Sequence, residues 1–133
     1  MDYDKVKTWR RSKRKPCPGG CTVEVAHDTL FCRKCTAKNK REKALNRTIA
    51  EVKAENKSKR WTDHVRYFAR ELHKFDKCEV CCYSNHVEIA HIRPVASFPD
   101  SATIKEVNSK ANVIGLCPNH HWEFDNGMLV LPV

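Results

Sequence analysis

Apolar residues recur at helical spacing in two stretches of the chain. From Thr36 onward the composition is helical, with Leu45, Ile49 and Val52 on one stripe and lysines and arginines elsewhere. Thr36 suits the capping position. So narrow a stripe predicts a helix lying against something small or against nucleic acid rather than in a core, and Asn56-Lys-Ser-Lys-Arg60 ends it. A second helix is predicted over about 62–75, where Val65, Phe68, Ala69, Leu72 and Phe75 form a wide apolar face that Trp61 extends. It is expected to pack on the C-terminal part of the chain, with His64 and His73 at the surface. Strand signals are short: Thr22-Val-Glu-Val, the alternating Val87-Glu-Ile-Ala-His-Ile-Arg-Pro94, and Val113, Ile114 and Leu116. Residues 95–111 read as a long connection with one or two helical turns near Ser101–Val107. Pro118 sits well at a first helical position, Gly127 closes that helix, and Met-Leu-Val-Leu after it reads as a final strand. The pattern is that of an α+β protein.

Eight cysteines change the picture. Cys78-x-x-Cys81 and Cys117-x-x-His120 supply four ligands for tetrahedral zinc with no open position, the mark of a structural ion. Cys82 is a possible substitute for Cys81, though the two-residue spacer is the commoner knuckle. Cys17, Cys21, Cys32 and Cys35 make a second four-cysteine set, whose first spacer is three residues long. A redox pair at Cys32 and Cys35 is the rival reading, but no strand–helix pattern surrounds it. The chain is expected to stay in a reducing, cytoplasmic compartment, where such pairs are thiolate ligands rather than disulfides. In the last helix His121 and Asp125 are four apart and share a face, so both can hold one ion, whereas His120 points about 100° away toward the zinc set.

Charge adds a partner. The formal net charge is +9 over 133 residues, and it is uneven. Residues 1–16 hold seven Lys/Arg against two acids, residues 38–60 hold nine against three, and residues 61–133 hold seven against nine. The excess therefore belongs to the front of the chain, where Arg10, Arg11, Lys13, Arg14 and Lys15 form an arm without periodicity and Lys40, Arg41 and Arg47 stud the first helix. These residues are read as a phosphate-binding surface for nucleic acid. The organisation expected is a basic, zinc-binding, mostly helical region over 1–60 and a zinc-stapled module over 61–133. A core this small is expected to need its metal staples. No apolar run approaches the roughly 20 residues of a membrane span, and the charged start lacks the apolar segment of a signal peptide.

The order Cys-x-x-Cys, Ala-His-Ile-x-Pro, Asn-x-x-x-Leu-Cys-Pro-Asn-His-His and Phe-Asp-x-Gly resembles the HNH nucleases, the zinc-containing branch of the ββα-metal fold, over about residues 77–130. The resemblance implies a DNA endonuclease with His91 as general base, Asn112 as the middle Asn and His121 as the last His, binding a catalytic Mg²⁺ or similar ion with Asp125. The chain departs from many members at Ala90, where an Asp or a second His often supplies a ligand. Small members of the family include homing, restriction-type and packaging-associated enzymes. Double-strand cleavage would suggest a homodimer, since one chain carries one active site. Two other classes are weighed against this one. A non-catalytic zinc-dependent DNA-binding protein leaves His91, Asn112 and His121 without a purpose, and a protein-interaction adaptor leaves the basic front unexplained.

Overall fold

Residues 2–5, 14–56 and 60–131 are described in the computed structural model, and their contacts divide the chain into two units, Met1–Ala44 and Leu45–Val133. Arg10, Arg11 and Lys13 lie outside the described residues.

In the first unit the end of the basic arm is not irregular but a strand. β1 (Arg14–Pro16) pairs antiparallel with β2 (Glu24–Ala26), Lys15 standing opposite Val25, and Arg14 Nη2 donates to the Glu24 carbonyl at 2.8 Å. Pro16 lacks an N–H, which an edge strand tolerates. Helix α1 (Arg33–Leu45) follows. It starts three residues before Thr36, whose hydroxyl reaches back to the Phe31 carbonyl at 3.5 Å instead of capping. The core of this unit is Cys17, Val25, Cys32 and Cys35, with Cys21 and Phe31 against it. Cysteines are three of the four buried residues in this cluster.

The second unit begins where one expected helix becomes two. Thr48 Oγ1 accepts from Glu51 N at 3.3 Å, which caps a new helix, α2 (Ile49–Glu55), and separates it from α1. Leu45, Ile49 and Val52 then lie in the centre of a core with Val65, Val95, Ala102, Ile104 and Val107. The expectation that this stripe faces DNA is overturned: Ile49 and Val52 are fully buried. Helix α3 (Trp61–Leu72) buries Val65 and Ala69 in the same core, with Trp61, Phe68 and Leu72 packed around it. It ends before Phe75. That ring instead lies on the sheet at Gly115, where a Cβ would stand 2.5 Å from Phe75 Cβ, so only glycine admits it.

The sheet is the antiparallel pair β3 (Glu88–His91) and β4 (Val113–Leu116), with Glu88 opposite Leu116 and His91 opposite Val113. Between them the chain makes a single 3-10 turn at Val95–Ser97, the short helix α4 (Ile104–Val107) and another 3-10 turn at Lys110–Asn112. Thr103 and Glu106 form a reciprocal capping box at the start of α4. Helix α5 (Pro118–Asp125) packs on both strands. The expected final strand is absent, as residues 128–131 are irregular. Among the described residues no helix is long and apolar enough to cross a membrane.

Candidate active site and metal centres

Both sulfur clusters have the dimensions of a tetrahedral site. Cys17, Cys21, Cys32 and Cys35 bring four donor atoms within 4.8 Å of one another, as do Cys78, Cys81, Cys117 and His120. Four thiolates bound at ~2.3 Å around a tetrahedral ion stand ~3.8 Å apart. The observed separations are 3.5 Å for Cys21–Cys32, 3.6 Å for Cys35–Cys21 and 3.9 Å for Cys81–Cys117. His120 presents Nδ1 to Cys78 Sγ at 3.5 Å and to Cys117 Sγ at 3.2 Å.

Backbone N–H groups favour the thiolate forms. The N–H of Cys32 points at Cys17 Sγ at 3.2 Å and brings that thiol down to about 6. The Cys32 sulfur, and after it those of Cys21 and Cys17, push Cys35 up to about 12, so its thiolate form calls for a cation among them. Burial pushes the Cys78 thiol up, but the Cys117, Cys81 and Val80 N–H groups outweigh it and leave it at about 6. Gly19 completes the first cradle: a Cβ there would stand 2.5 Å from Cys35 Sγ. Both donor sets therefore fit a metal ion. Cys82, exposed and at φ 63°, stands outside the second set, which uses Cys81.

On the other side of α5 the neighbouring residue serves a different place. One turn of helix sets His121 and Asp125 on a shared face, and His121 Nε2 lies 3.4 Å from Asp125 Oδ2. His121 Nδ1 lies 2.6 Å from Glu88 Oε2, the closest polar contact of the ring. That hydrogen bond holds the Glu88 carboxyl below the usual carboxylate range against the effect of burial, and His86, 3.4 Å away, adds to it. Strand alternation explains the reach. Glu88 and Ala90 lie on the same face of β3, so a carboxylate two residues upstream meets the histidine where Ala90 has nothing to offer.

His91 ends β3 and shares a groove of about 950 Å³ with Glu88, His121 and Asp125. Its Nε2 meets Asn108 Oδ1 at 2.7 Å, while Asn108 Nδ2 donates to the Val65 carbonyl at 2.8 Å. Because the amide's N–H₂ end is committed to a carbonyl, its oxygen must accept, and His91 Nε2 carries the proton. The free lone pair is then on Nδ1. Burial lowers the His91 pKa below 6.5, the Asn108 bond opposes this, and the positive charges of Arg66, His121 and His73 add to the lowering. Asn112, 9% exposed, accepts from the Arg93 N–H at 2.8 Å and donates to the carbonyls of Arg93 at 3.2 Å and Val107 at 2.8 Å. It ties the end of β3 to the connection that crosses behind it.

Three residues of the site were not foreseen, Glu88 and His73 lining the groove and Asn108 buried behind His91. Glu88 was readable only once its strand face was known. Asn108, 1% exposed, had no distinguishing neighbour in the sequence. His73, expected at the surface, is half-buried, lines the groove and meets the Asn108 carbonyl oxygen through Nε2 at 2.6 Å. Of the cations expected to bind nucleic acid, Lys40 and Arg41 are exposed on α1 and Lys15 is half-buried in β1. Arg47 is engaged within the protein, 2.6 Å from Glu55 Oε2.

Residues 75–131 match the family model for HNH endonuclease, a segment that holds β3, β4, α5 and the second metal set. The resemblance carried by the sequence motifs covers nearly the same residues. No curated protein and no solved structure matches the chain.

Proposed function

We propose that the groove is the active site of a metal-dependent DNA endonuclease and that both sulfur clusters bind structural zinc. The observation that carries the reading is the sharing of one groove by a histidine with a free Nδ1 and by a His–Asp pair suited to a divalent ion. Two ligands of one ion at ~2.1 Å stand about 3.4 Å apart in tetrahedral geometry and ~3.0 Å in octahedral. The 3.4 Å between His121 Nε2 and Asp125 Oδ2 matches the tetrahedral value and lies a few tenths of an ångström above the octahedral one, whereas the 2.6 Å to Glu88 is a hydrogen bond. Glu88 therefore orients the ring through Nδ1–H, in the manner of carboxylates behind metal-bound histidines. His121 Nε2 and Asp125 would hold Mg²⁺ or Mn²⁺, which when bound would neutralise charge on the phosphate and on the departing 3′-oxygen.

The chain's own steps begin at His91. Its pKa, held below 6.5, keeps the ring neutral at physiological pH, and Asn108 keeps the accepting lone pair on Nδ1. Nδ1 takes a proton from water as the water oxygen forms a bond to phosphorus. The bond from phosphorus to the 3′-oxygen breaks and that oxygen takes a proton from solvent water, leaving a 5′-phosphate and a 3′-hydroxyl. Asn112 holds the backbone after β3 so that His91 cannot swing from the groove.

Supercoiled plasmid incubated with the protein and Mg²⁺ or Mn²⁺ should be nicked or linearised. His91→Ala should lower the rate by roughly 10²- to 10⁴-fold while bound zinc and DNA affinity persist. An intact plasmid with the wild-type protein, across a genome-wide pool of target sequences, would leave a zinc-dependent DNA-binding protein in place of the enzyme.

A further inference from the structure

Net charge over residues 61–133 hides an uneven placement. Arg66 and Arg70 stand one turn apart on α3 and so share a side of it, and Lys74 follows just past the helix, after the extended His73. All three line the groove that holds His91, His121 and Asp125. All three also precede the segment matched to the nuclease family, which begins at residue 75. The fold does not need their charge: α3 is anchored by Val65 and Ala69, and both Arg66 and Arg70 are exposed. Arg66 lies 3.5 Å from Asp63 in an exposed pair of little energetic weight. Arg70 and Lys74 make no ion pair among the described residues, although Asp76, Glu88 and Asp125 line the same groove.

The groove lining thus includes Arg70 and Lys74 without an ion-pair partner among the described residues, together with the histidines and carboxylates. A carboxylate-lined cleft repels a polyanion unless cations in the same lining draw it in. Guanidinium groups donate to phosphate oxygens in a fork, and four residues of helix rise about 6 Å, so Arg66 and Arg70 are spaced along an extended run of phosphates.

We propose that Arg66, Arg70 and Lys74 form a backbone-gripping wall that binds the phosphates flanking the scissile bond of a DNA strand. The proposal rests on the nuclease reading of the groove, and it assigns part of substrate binding to α3 as well as to the basic front of the chain.

The test is binding of a labelled 20-base-pair duplex to the full-length, zinc-loaded protein in a His91→Ala background, titrated over a range of salt. Arg70→Gln/Lys74→Gln should weaken binding on the order of tenfold and reduce the slope of log K against log salt by about 2. Lys105→Gln/Lys110→Gln removes the same charge from exposed positions that do not line the groove, and should do much less. Arg70→Lys/Lys74→Arg should restore the slope, and unchanged zinc content and thermal midpoint exclude misfolding. Wild-type affinity and slope in the glutamine pair, or equal losses in the two double variants, would overturn the wall. If the native histidine enzyme cuts DNA while the glutamine pair binds normally, the wall fails and the nuclease stands. Weakened binding in a protein that never cuts DNA would keep the phosphate contact and sink the nuclease.

Discussion

The two units solve the same problem of small size in opposite ways. In Met1–Ala44 the candidate metal set and the core are one object, since among the described residues Cys17, Cys32 and Cys35 are three of the four buried ones and Val25 is the fourth. In Leu45–Val133 the aliphatic cluster around Ile49, Val65 and Ile104 contains no metal donor, and the cysteines belong to a second cluster with Ala90, Ile114 and Leu116. Apolar burial scales with the area removed from water, so a unit whose core is largely sulfur has little to hold it once the ion is gone. The unit with the groove keeps a core of its own.

Metal removal should make that difference largest. Apparent binding free energies of structural zinc are ~10–16 kcal/mol in small domains. A strong chelator should therefore abolish amide protection in 14–45 and loosen β3, β4 and α5, while α2 and α3 stay protected by hydrogen exchange. Persistent protection of β1 and β2 after chelation would erase the distinction. Ile49→Ala should act the other way round, costing about 2–5 kcal/mol in the second unit and leaving the metal set of the first unchanged. Denaturant unfolding followed together with zinc release would separate the two.

The smallest effect is expected at Asn108. Replacement by Leu keeps the volume and the apolar surroundings but removes the acceptor for His91 Nε2–H, at a stability cost of ~1–3 kcal/mol. If His91 is the base proposed above it works when neutral, and cleavage should then fall as pH drops through its pKa, which lies below 6.5. The Asn108 bond raises that pKa against burial and against the charges of Arg66, His121 and His73. Its loss should move the acid limb of the rate profile to lower pH while the plateau rate falls. An unmoved limb with a normal plateau would make Asn108 a packing residue only.

Local spacing made the metal sets and the last helix legible. Cys-x-x-Cys, Cys-x-x-His and the His121–Asp125 step are short-range facts, preserved whatever the rest of the chain does. The helix break was also written locally, in Thr48-x-x-Glu51, a capping signature overridden by the continuous run of helix formers around it. The rest of the groove depends on faces meeting across the fold. Glu88 matters because β3 turns it toward α5, and Asn108 because 17 residues of connection return it to His91. The cations of α3 vanished in a segment average that weighed them against acids elsewhere.

His120 and His121 are adjacent in α5, one turned to the sulfur cluster and one to the groove. Length variation is therefore forbidden here in a way it is not elsewhere. An inserted or deleted residue between 117 and 121 rotates everything after it by about 100°, so it must misplace either the histidine of the sulfur cluster or that of the groove. The connection between β3 and β4 has no such double commitment over 95–106, before Asn108 and Asn112. Among natural variants of this chain, that is where gaps should accumulate, while the four residues after Cys117 keep their count.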